Sequence, residues 1–337
     1  MSYPILWYLH DQGRGHLDRA RAVIPHLTSP VVVAAGPGVA DLAASSLDVP
    51  VIALPGDVPE GPHTTRGPWH HAPAGPEVRR RTTALAAVVA RHHCTTAVVD
   101  VSMEVAAFAR LCGLRTIALR QSGRRDDPAH RVGLTSADVV WVPQHRDLEP
   151  IDEAVDERYA FTGAFSRFDD ATCTRTTADG TRSAVLLVGR GGTTFDASPW
   201  FRASAPDGWR VVIAGLEHRW TGNGICSAGA VEPVFSLLTA ADVVVTSAGW
   251  ASVADCVAAA TRLVVIPESR PFDEQLVRAD VLHAAGLSWR CDRWPAPAEL
   301  VGVLDEACQL DPAAWGRYYD GAGAQRAASM IEQVVEA

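Results

Sequence analysis

Two short segments of this 337-residue chain carry residue types at spacings that can do chemistry. The first is Gly13-Arg-Gly-His-Leu-Asp-Arg19, a glycine turn that follows an apolar run and opens a helix-forming stretch. Glycines let backbone amides approach a ligand, and a helix N-terminus favours an anion or developing negative charge. His16 adds an imidazole able to accept a hydroxyl proton near neutral pH. The plain alternative is a histidine that caps or packs a helix start. A dinucleotide fingerprint is excluded, because Gly-x-Gly-x-x-Gly fails at Asp18 and no acidic residue closes the second strand.

The second segment is Asp242-Val-Val-Val-Thr-Ser-Ala-Gly-Trp-Ala-Ser-Val-Ala-Asp255, followed by Pro267-Glu-Ser-Arg-Pro-Phe-Asp-Glu-Gln275. A strand ends at Thr246, Ser247 and Gly249 form a turn, and Ser252 is placed to cap a helix whose amides hold a pyrophosphate without lysine or metal. Asp255, one turn into that helix, is placed to accept from ribose hydroxyls. The alternative is an ordinary strand-helix-strand unit. Asp100, at the end of the apolar stretch before Val101-Ser-Met-Glu104, either orients the His16 imidazole or caps a helix.

Such residues need strands that end, and helices that begin, on one side of a sheet. Ile5 to His10, Val31 to Ala35, Val51 to Leu54, Ala97 to Asp100, Thr116 to Leu119 and Val139 to Val142 read as strands. Helical spacing lies between them, near Val39 to Ser45, Glu77 to His92 and Ser102 to Cys112. A second series has strands at Ala184 to Val188, Arg210 to Ala214, Ala230 to Val234, Asp242 to Thr246 and Leu263 to Pro267, helices at Ser252 to Ala260 and Glu274 to Ala285, and a terminal helix at Gln325 to Val335. The alternation predicts α/β architecture with two doubly wound parallel sheets. We expect an N-terminal acceptor-side domain over 1–160 and a C-terminal nucleotide-side domain over 161–337, facing a central cleft, with the last helix packed back on the first.

Composition narrows the classes. Apolar residues make up 47% and charged residues 20%, as in a globular protein, and the longest apolar run, Ala84 to Ala90, is too short to span a bilayer. The N-terminus lacks the basic region of a signal peptide, so a cytoplasmic location is expected. All 30 basic residues are arginine, which excludes P-loop and Schiff-base lysines, and the net charge of −9 argues against nucleic acid. The seven scattered cysteines suit neither a disulfide framework nor a zinc site.

Together the two segments resemble the GT-B glycosyltransferases, in particular the MurG-like branch with a C-terminal domain of glycosyltransferase family 28 type. That family has an early Gly-x-Gly-His turn, here Gly13 to His16. Its late segment runs Ala-Asp, apolar residues, Ser-x-Ala-Gly and a closing acid, here Ala241 to Asp255, then Ile266-Pro267 and Glu274-Gln275, with Leu282 and Gly286. Trp250 matches the Gly-Trp pair of relatives that act on small metabolites.

The resemblance implies a GT-B fold of two Rossmann-like domains and an inverting transfer of a hexosyl or N-acetylhexosaminyl group from a UDP- or dTDP-sugar to a hydroxyl or amine. His16 would be the base, or a stabiliser of charge, with Gly13 and Gly15 shaping its turn. Gly189, Gly191, Gly192 and Thr193 would face the diphosphate or sugar, and the backbone of Val231 to Val234 the base edge. Ser247, Gly249, Trp250, Ala251 and Ser252 would contact phosphates, Asp255 the ribose, and Asp273, Glu274 and Gln275 the sugar hydroxyls. Two departures bear on this: the usual Glu is Asp255 here, and the first loop has only two glycines.

On the acceptor side we place Gly13, Arg14, Gly15, Trp69 in the Pro/Gly/His-rich loop 55–76, and Arg124 in the loop Gln121 to His130. Trp69, His70 and His71 with Arg79, Arg80 and Arg81 read either as an acceptor lid or lipid-headgroup contact, or as a surface loop ahead of an exposed basic helix end. The acceptor is a small molecule, a lipid-linked sugar or a glycan. No metal and no cofactor besides the sugar nucleotide are expected, since no acidic ligand near in sequence completes a histidine pair. A nucleotide-sugar hydrolase and a non-catalytic nucleotide-binding protein are the alternatives.

Overall fold

The computed structural model describes residues 3–10, 15–58, 64–65, 67–70, 73–151, 154–171, 180–189, 192–231 and 234–337. They form two compact units, Met1–His145 with Ile151–Gly163 and Ala322–Ala337, and Arg146–Pro150 with Ala164–Gly321.

The first unit runs β1 (Ile5–Leu9), α1 (Gly15–Val23), β2 (Val31–Ala35), α2 (Ala40–Ala44), β3 (Val51–Ala53), α3 (Pro76–His92), β4 (Thr96–Val99), α4 (Met103–Leu111), β5 (Arg115–Leu119), α5 (Pro128–Ser136), β6 (Val139–Val142) and β7 (Tyr159–Phe161). Its seven strands are ordered β3-β2-β1-β4-β5-β6-β7 and all pairings are parallel. Every residue of β1 is buried, as expected of a strand covered on both faces. Ile5 pairs with Val31 on one side and Thr96 on the other, which sets the ends of β1 and β4 side by side.

The second unit runs β8 (Arg182–Leu187), β9 (Trp209–Ala214), β10 (Trp220–Gly222), β11 (Ile225–Gly229), α6 (Phe235–Thr239), β12 (Val243–Ser247), α7 (Trp250–Ala258), β13 (Arg262–Ile266), α8 (Glu274–Ala284), β14 (Trp289–Arg290) and α9 (Leu300–Cys308). The order β10-β11-β9-β8-β12-β13-β14 repeats the crossover pattern of the first sheet, with β10 added as an antiparallel edge. Two apolar clusters cover its faces, one including Val244, Leu263 and Leu282, the other Trp200, Trp209 and Trp294. The last helix, α10 (Gly323–Glu336), belongs to the first unit and packs on α1, burying Ala324, Ala327, Ala328 and Ile331.

Several expectations need correction. The strand placed at Ala230 to Val234 is β11, ending at Gly229, because Gly229 turns at φ +73° and Val234 precedes α6. The stretch Gln121 to His130 is not all loop: Asp127 caps α5, with Pro128 at its first position. The helix expected from Ser252 starts earlier, at Trp250, with Gly249 as its extended N-cap. β7, β10, β14 and α9 were not anticipated.

Candidate active site

In the first unit, the chain leaves β1 and enters α1 through residues 11–14; Gly13 and Arg14 thus lie outside the described residues. Gly15 and His16 form the first turn of α1, and His16 is buried. Its Nδ1 stands 3.0 Å from Asp100 Oδ1. Arg19, one turn along the same helix, donates to Asp100 through Nε to Oδ2 at 3.1 Å and through Nη2 to Oδ1 at 2.8 Å, and its Nη2 lies 2.9 Å from His16 Nδ1. Burial works against ionising Asp100, but the charges and donors of Arg19 and His16 hold its carboxyl at about 2.

The backbone aims this carboxylate. Asp100 N–H donates to Tyr8 O at the end of β1, and Val101 N–H folds back to Val99 O in a three-residue turn. Val101 adopts φ +75°, a costly conformation for a β-branched residue. The helix cap is Ser102, whose Oγ accepts from Val105 N–H, so Asp100 is left to the His16–Arg19 pair.

A second cluster joins the starts of α4 and α5 to the loop before α3. Asp127 accepts from Ala129 and His130 N–H, from His130 Nδ1, and from His70 Nε2 at 2.8 Å. His70 N–H also donates to Glu104. The fold thus brings His70 to Asp127, 57 residues later, and the ligand atoms of His70, Asp127 and His130 lie within 4.8 Å of one another.

The donor pattern is nevertheless that of a closed hydrogen-bond chain. Arg125 Nη1 points at His130 Nε2 at 3.2 Å and can only donate, so the His130 proton sits on Nδ1 facing Asp127, where a metal would need a lone pair. Burial and the nearby Arg125 charge hold His130 down to about 4 against the pull of Asp127.

Next to this cluster, Trp69 is 37% exposed with its carbonyl accepting from Thr65 Oγ1, and Arg124 is exposed. His71 lies outside the described residues. The basic helix end is smaller than expected. Arg79 and Arg80 face solvent, but Arg81 is buried and tied to Tyr8 Oη, Pro55 O and Asp57.

In the second unit, the ends of β8, β12 and β13 gather most of the expected nucleotide-side residues. A Cβ on Gly249 would stand 3.7 Å from Ser247 Oγ, 3.8 Å from Gln275 Nε2 and 3.9 Å from Ser252 Oγ, and one on Gly189 3.5 Å from Ser247 Oγ. Ser252 does not cap α7, so its hydroxyl and the first amides of that helix face the same turn as Gly249. Gly249, Trp250, Ala251 and Ser252 are half-buried, as a surface turn requires.

Gly215, not anticipated from sequence, shapes the exit of β8. It turns at φ +99°, and a Cβ there would sit 2.1 Å from Val188 O. Gly192 also turns left-handed, at φ +95°, and its carbonyl accepts from Arg270 Nη2; Gly191 lies outside the described residues. Phe272 and Asp273 take two successive left-handed conformations before α8, a strained entry for side chains with a Cβ. Glu274 pairs with Arg278, whose Nη1 also donates to Ala248 O beside Gly249.

Besides Glu274, several expected contact residues, Gln275 among them, are already engaged within the chain. Asp255 is buried, accepts from Ser166 Oγ at 2.6 Å and pairs with Arg167, while Trp250 meets Phe165 edge-on at 5.0 Å. Thr193 donates its hydroxyl to Glu268. Val231 and Val234 flank residues 232–233, which are not described, between β11 and α6. Sequence reasoning missed Arg19 and Glu268 as site residues, although both stand inside the quoted motifs.

No family model and no curated protein matches the chain. Solved structures do. The glycosyltransferase of kitacinnamycin superposes with a TM-score of 0.74 at 18% identity, covering 99% of both chains. MurG of Acinetobacter baumannii gives 0.69 at 14% identity, over 98% of this chain and 99% of that one. The chain has the GT-B fold. The spinosyn rhamnosyltransferase SpnG complexed with thymidine diphosphate, TM-score 0.59 at 17% identity over 99% and 96%, shares it. In the GT-B fold, as in other doubly wound sheets, ligands meet the carboxyl ends of the strands. Those are the ends at which His16, Asp100, Gly189, Ser247 and Glu268 stand.

Proposed function

We propose that this protein is a glycosyltransferase that moves a sugar from a nucleoside diphosphate, UDP or dTDP, to a hydroxyl or amine of a small-molecule acceptor with inversion. The observation that carries the reading is His16 Nδ1 at 3.0 Å from a buried Asp100 carboxylate held ionised. In the tautomer that donates Nδ1–H to Asp100, with Arg19 Nη2 donating to Asp100 Oδ1 and not to Nδ1, the imidazole presents the Nε2 lone pair as a base.

The acceptor O–H gives its proton to Nε2, the oxygen lone pair bonds to the anomeric carbon, and the bond from that carbon to the diphosphate breaks with its electron pair on the leaving oxygen. Attack opposite the leaving group inverts the centre. The α7 amides and the Ser247 and Ser252 hydroxyls around Gly249 support binding of the diphosphate charge in the second unit.

The test combines ligand binding and turnover. A nucleotide present at about 100 times its dissociation constant adds about 2.7 kcal/mol of stability, so UDP and dTDP belong in a thermal-shift panel beside GDP and ADP. UDP- and dTDP-sugars with hydroxyl and amine acceptors should then give a product heavier by one glycosyl unit. A chain stabilised by no nucleotide and giving no such product ends the reading.

A further inference from the structure

Glu268 is 4% exposed at the exit of β13, and the reaction outlined above does not use it. Its carboxylate takes four hydrogen bonds. Thr193 Oγ1 and Trp294 Nε1 donate to Oε1 at 2.7 and 2.8 Å, and Thr194 N–H reaches Oε1 at 2.9 Å and Oε2 at 3.1 Å. Its own N–H donates to Gln275 Oε1 at 3.0 Å. Two residues on, Arg270 holds the Gly192 carbonyl at 2.6 Å.

These bonds join three separate segments: Gly192–Thr194 beyond β8, the β13–α8 connection, and Trp294 before α9. Thr193 also accepts from Phe195 N–H, and the Phe195 ring packs edge-on against Trp294 at 5.1 Å, so the loop is tied at both ends. Burial opposes a charge on Glu268, yet its donors hold the carboxyl below its ordinary value. A buried carboxylate surrounded by donors costs much less than an unpaired one, and it fixes the geometry of each donor.

Beside a diphosphate site, a negative charge would repel the ligand unless it were spent on the protein. Here Thr193, Thr194 and Trp294 absorb it. In return, the loop that turns at Gly192 is held in one shape against the end of β13.

We propose that Glu268 is a positioning residue for the donor: it fixes Gly192–Thr194 so that the loop meets the diphosphate of the nucleotide sugar without reordering. This rests on the nucleotide-sugar reading above. Loss of the anchor makes binding bear the cost of ordering the loop, which raises the donor KM and the nucleotide Kd and spares the proton transfer at His16.

The variants are Glu268→Ala, Glu268→Gln and Thr193→Val, assayed with UDP- and dTDP-sugars and titrated with UDP and dTDP. Glu268→Ala is expected to raise the donor KM and the nucleotide Kd about tenfold, with kcat lowered less than about threefold. Glu268→Gln, which keeps the Oε1 acceptor, and Thr193→Val, which loses one bond, should each raise KM about threefold. The Glu268→Gln/Thr193→Val pair should fall short of their product, since both act on one bond network.

Trp294 supplies a readout independent of turnover. Its emission should shift in Glu268→Ala, and the shift should vanish in a Trp294→Phe background. If Glu268→Ala fails to fold, the two milder variants carry the test.

A wild-type chain that binds no nucleotide and transfers no sugar removes the reading and this role together. A wild type that does both, beside variants matching its donor KM within twofold or losing kcat at constant KM, overturns the role of Glu268 alone.

Discussion

Arg19 occupies both oxygens of Asp100, at 3.1 and 2.8 Å, and the two side chains are among the most deeply buried charges of the first unit, at 1% and 0% exposure. A pair this deep is asymmetric: removing one partner strands the other charge in a medium that cannot solvate it. Arg19→Met is therefore expected to cost about 3–5 kcal/mol in urea unfolding. Adding Asp100→Asn should return part of that loss. A double variant whose loss equals the sum of the two single losses would show that the two residues are not coupled.

His16→Ala and Asp100→Asn are expected to lower kcat about 10²–10⁴-fold, the range for a positioned base. Binding of UDP or dTDP, read by titration, should change less than threefold, because the residues proposed to hold the nucleotide belong to the second unit. A nucleotide affinity that collapses with His16→Ala would give the imidazole a role at the diphosphate instead.

His130 links stability to pH. Its imidazole is held down to about 4 in the folded chain and titrates at 6.5 when unperturbed. Between those values the unfolded chain takes up a proton that the folded chain refuses, so stability falls as pH drops through the window and is level above it. The full span is worth about 3 kcal/mol at most. His130→Gln should flatten the slope between pH 6.5 and 4, measured by urea midpoints; an unchanged slope would move the effect to other groups.

One substitution has opposite signs at two glycines. Gly215→Ala puts a Cβ 2.1 Å from Val188 O at φ +99° and is expected to cost more than about 2 kcal/mol. Gly302→Ala, inside α9 with no atom within 4 Å of the new Cβ, should add about 0.5–1 kcal/mol. Melting temperatures moving in the same direction would contradict the geometry at one of the two sites.

The parts of the fold legible in the sequence are those where an apolar run meets a glycine turn. β1 into α1 and β12 into α7 are both of that kind, and both mark site residues. Other features depend on partners distant along the chain. Glu268 acquires its role from Thr193, 75 residues earlier, and from Trp294, 26 later, and no local spacing signals that meeting. Arg19 stood at the end of a quoted motif, but its significance comes from Asp100, 81 residues away. The start of α5 was readable, since Asp127-Pro128 is a capping residue followed by a first-turn proline, but the polar loop around it hid the signal. Ser252 was misjudged as the cap because a serine three residues into a helix resembles one, while the extended backbone that begins α7 belongs to Gly249.

The return of α10 to the first unit has a consequence for how the protein is made. Glu332 accepts from Thr28 and Ser29, and Arg326 donates to Thr162 O, so the first unit is finished by residues made 164 to 304 positions after those they bind. On the ribosome, the first sheet emerges before the second unit and waits for it before α10, with its buried Ala327 and Ile331, packs against α1, β4 and β5. Until then it exposes an apolar stripe, and a fragment cut after Gly163 would carry that stripe permanently unless residues 322–337 were supplied with it.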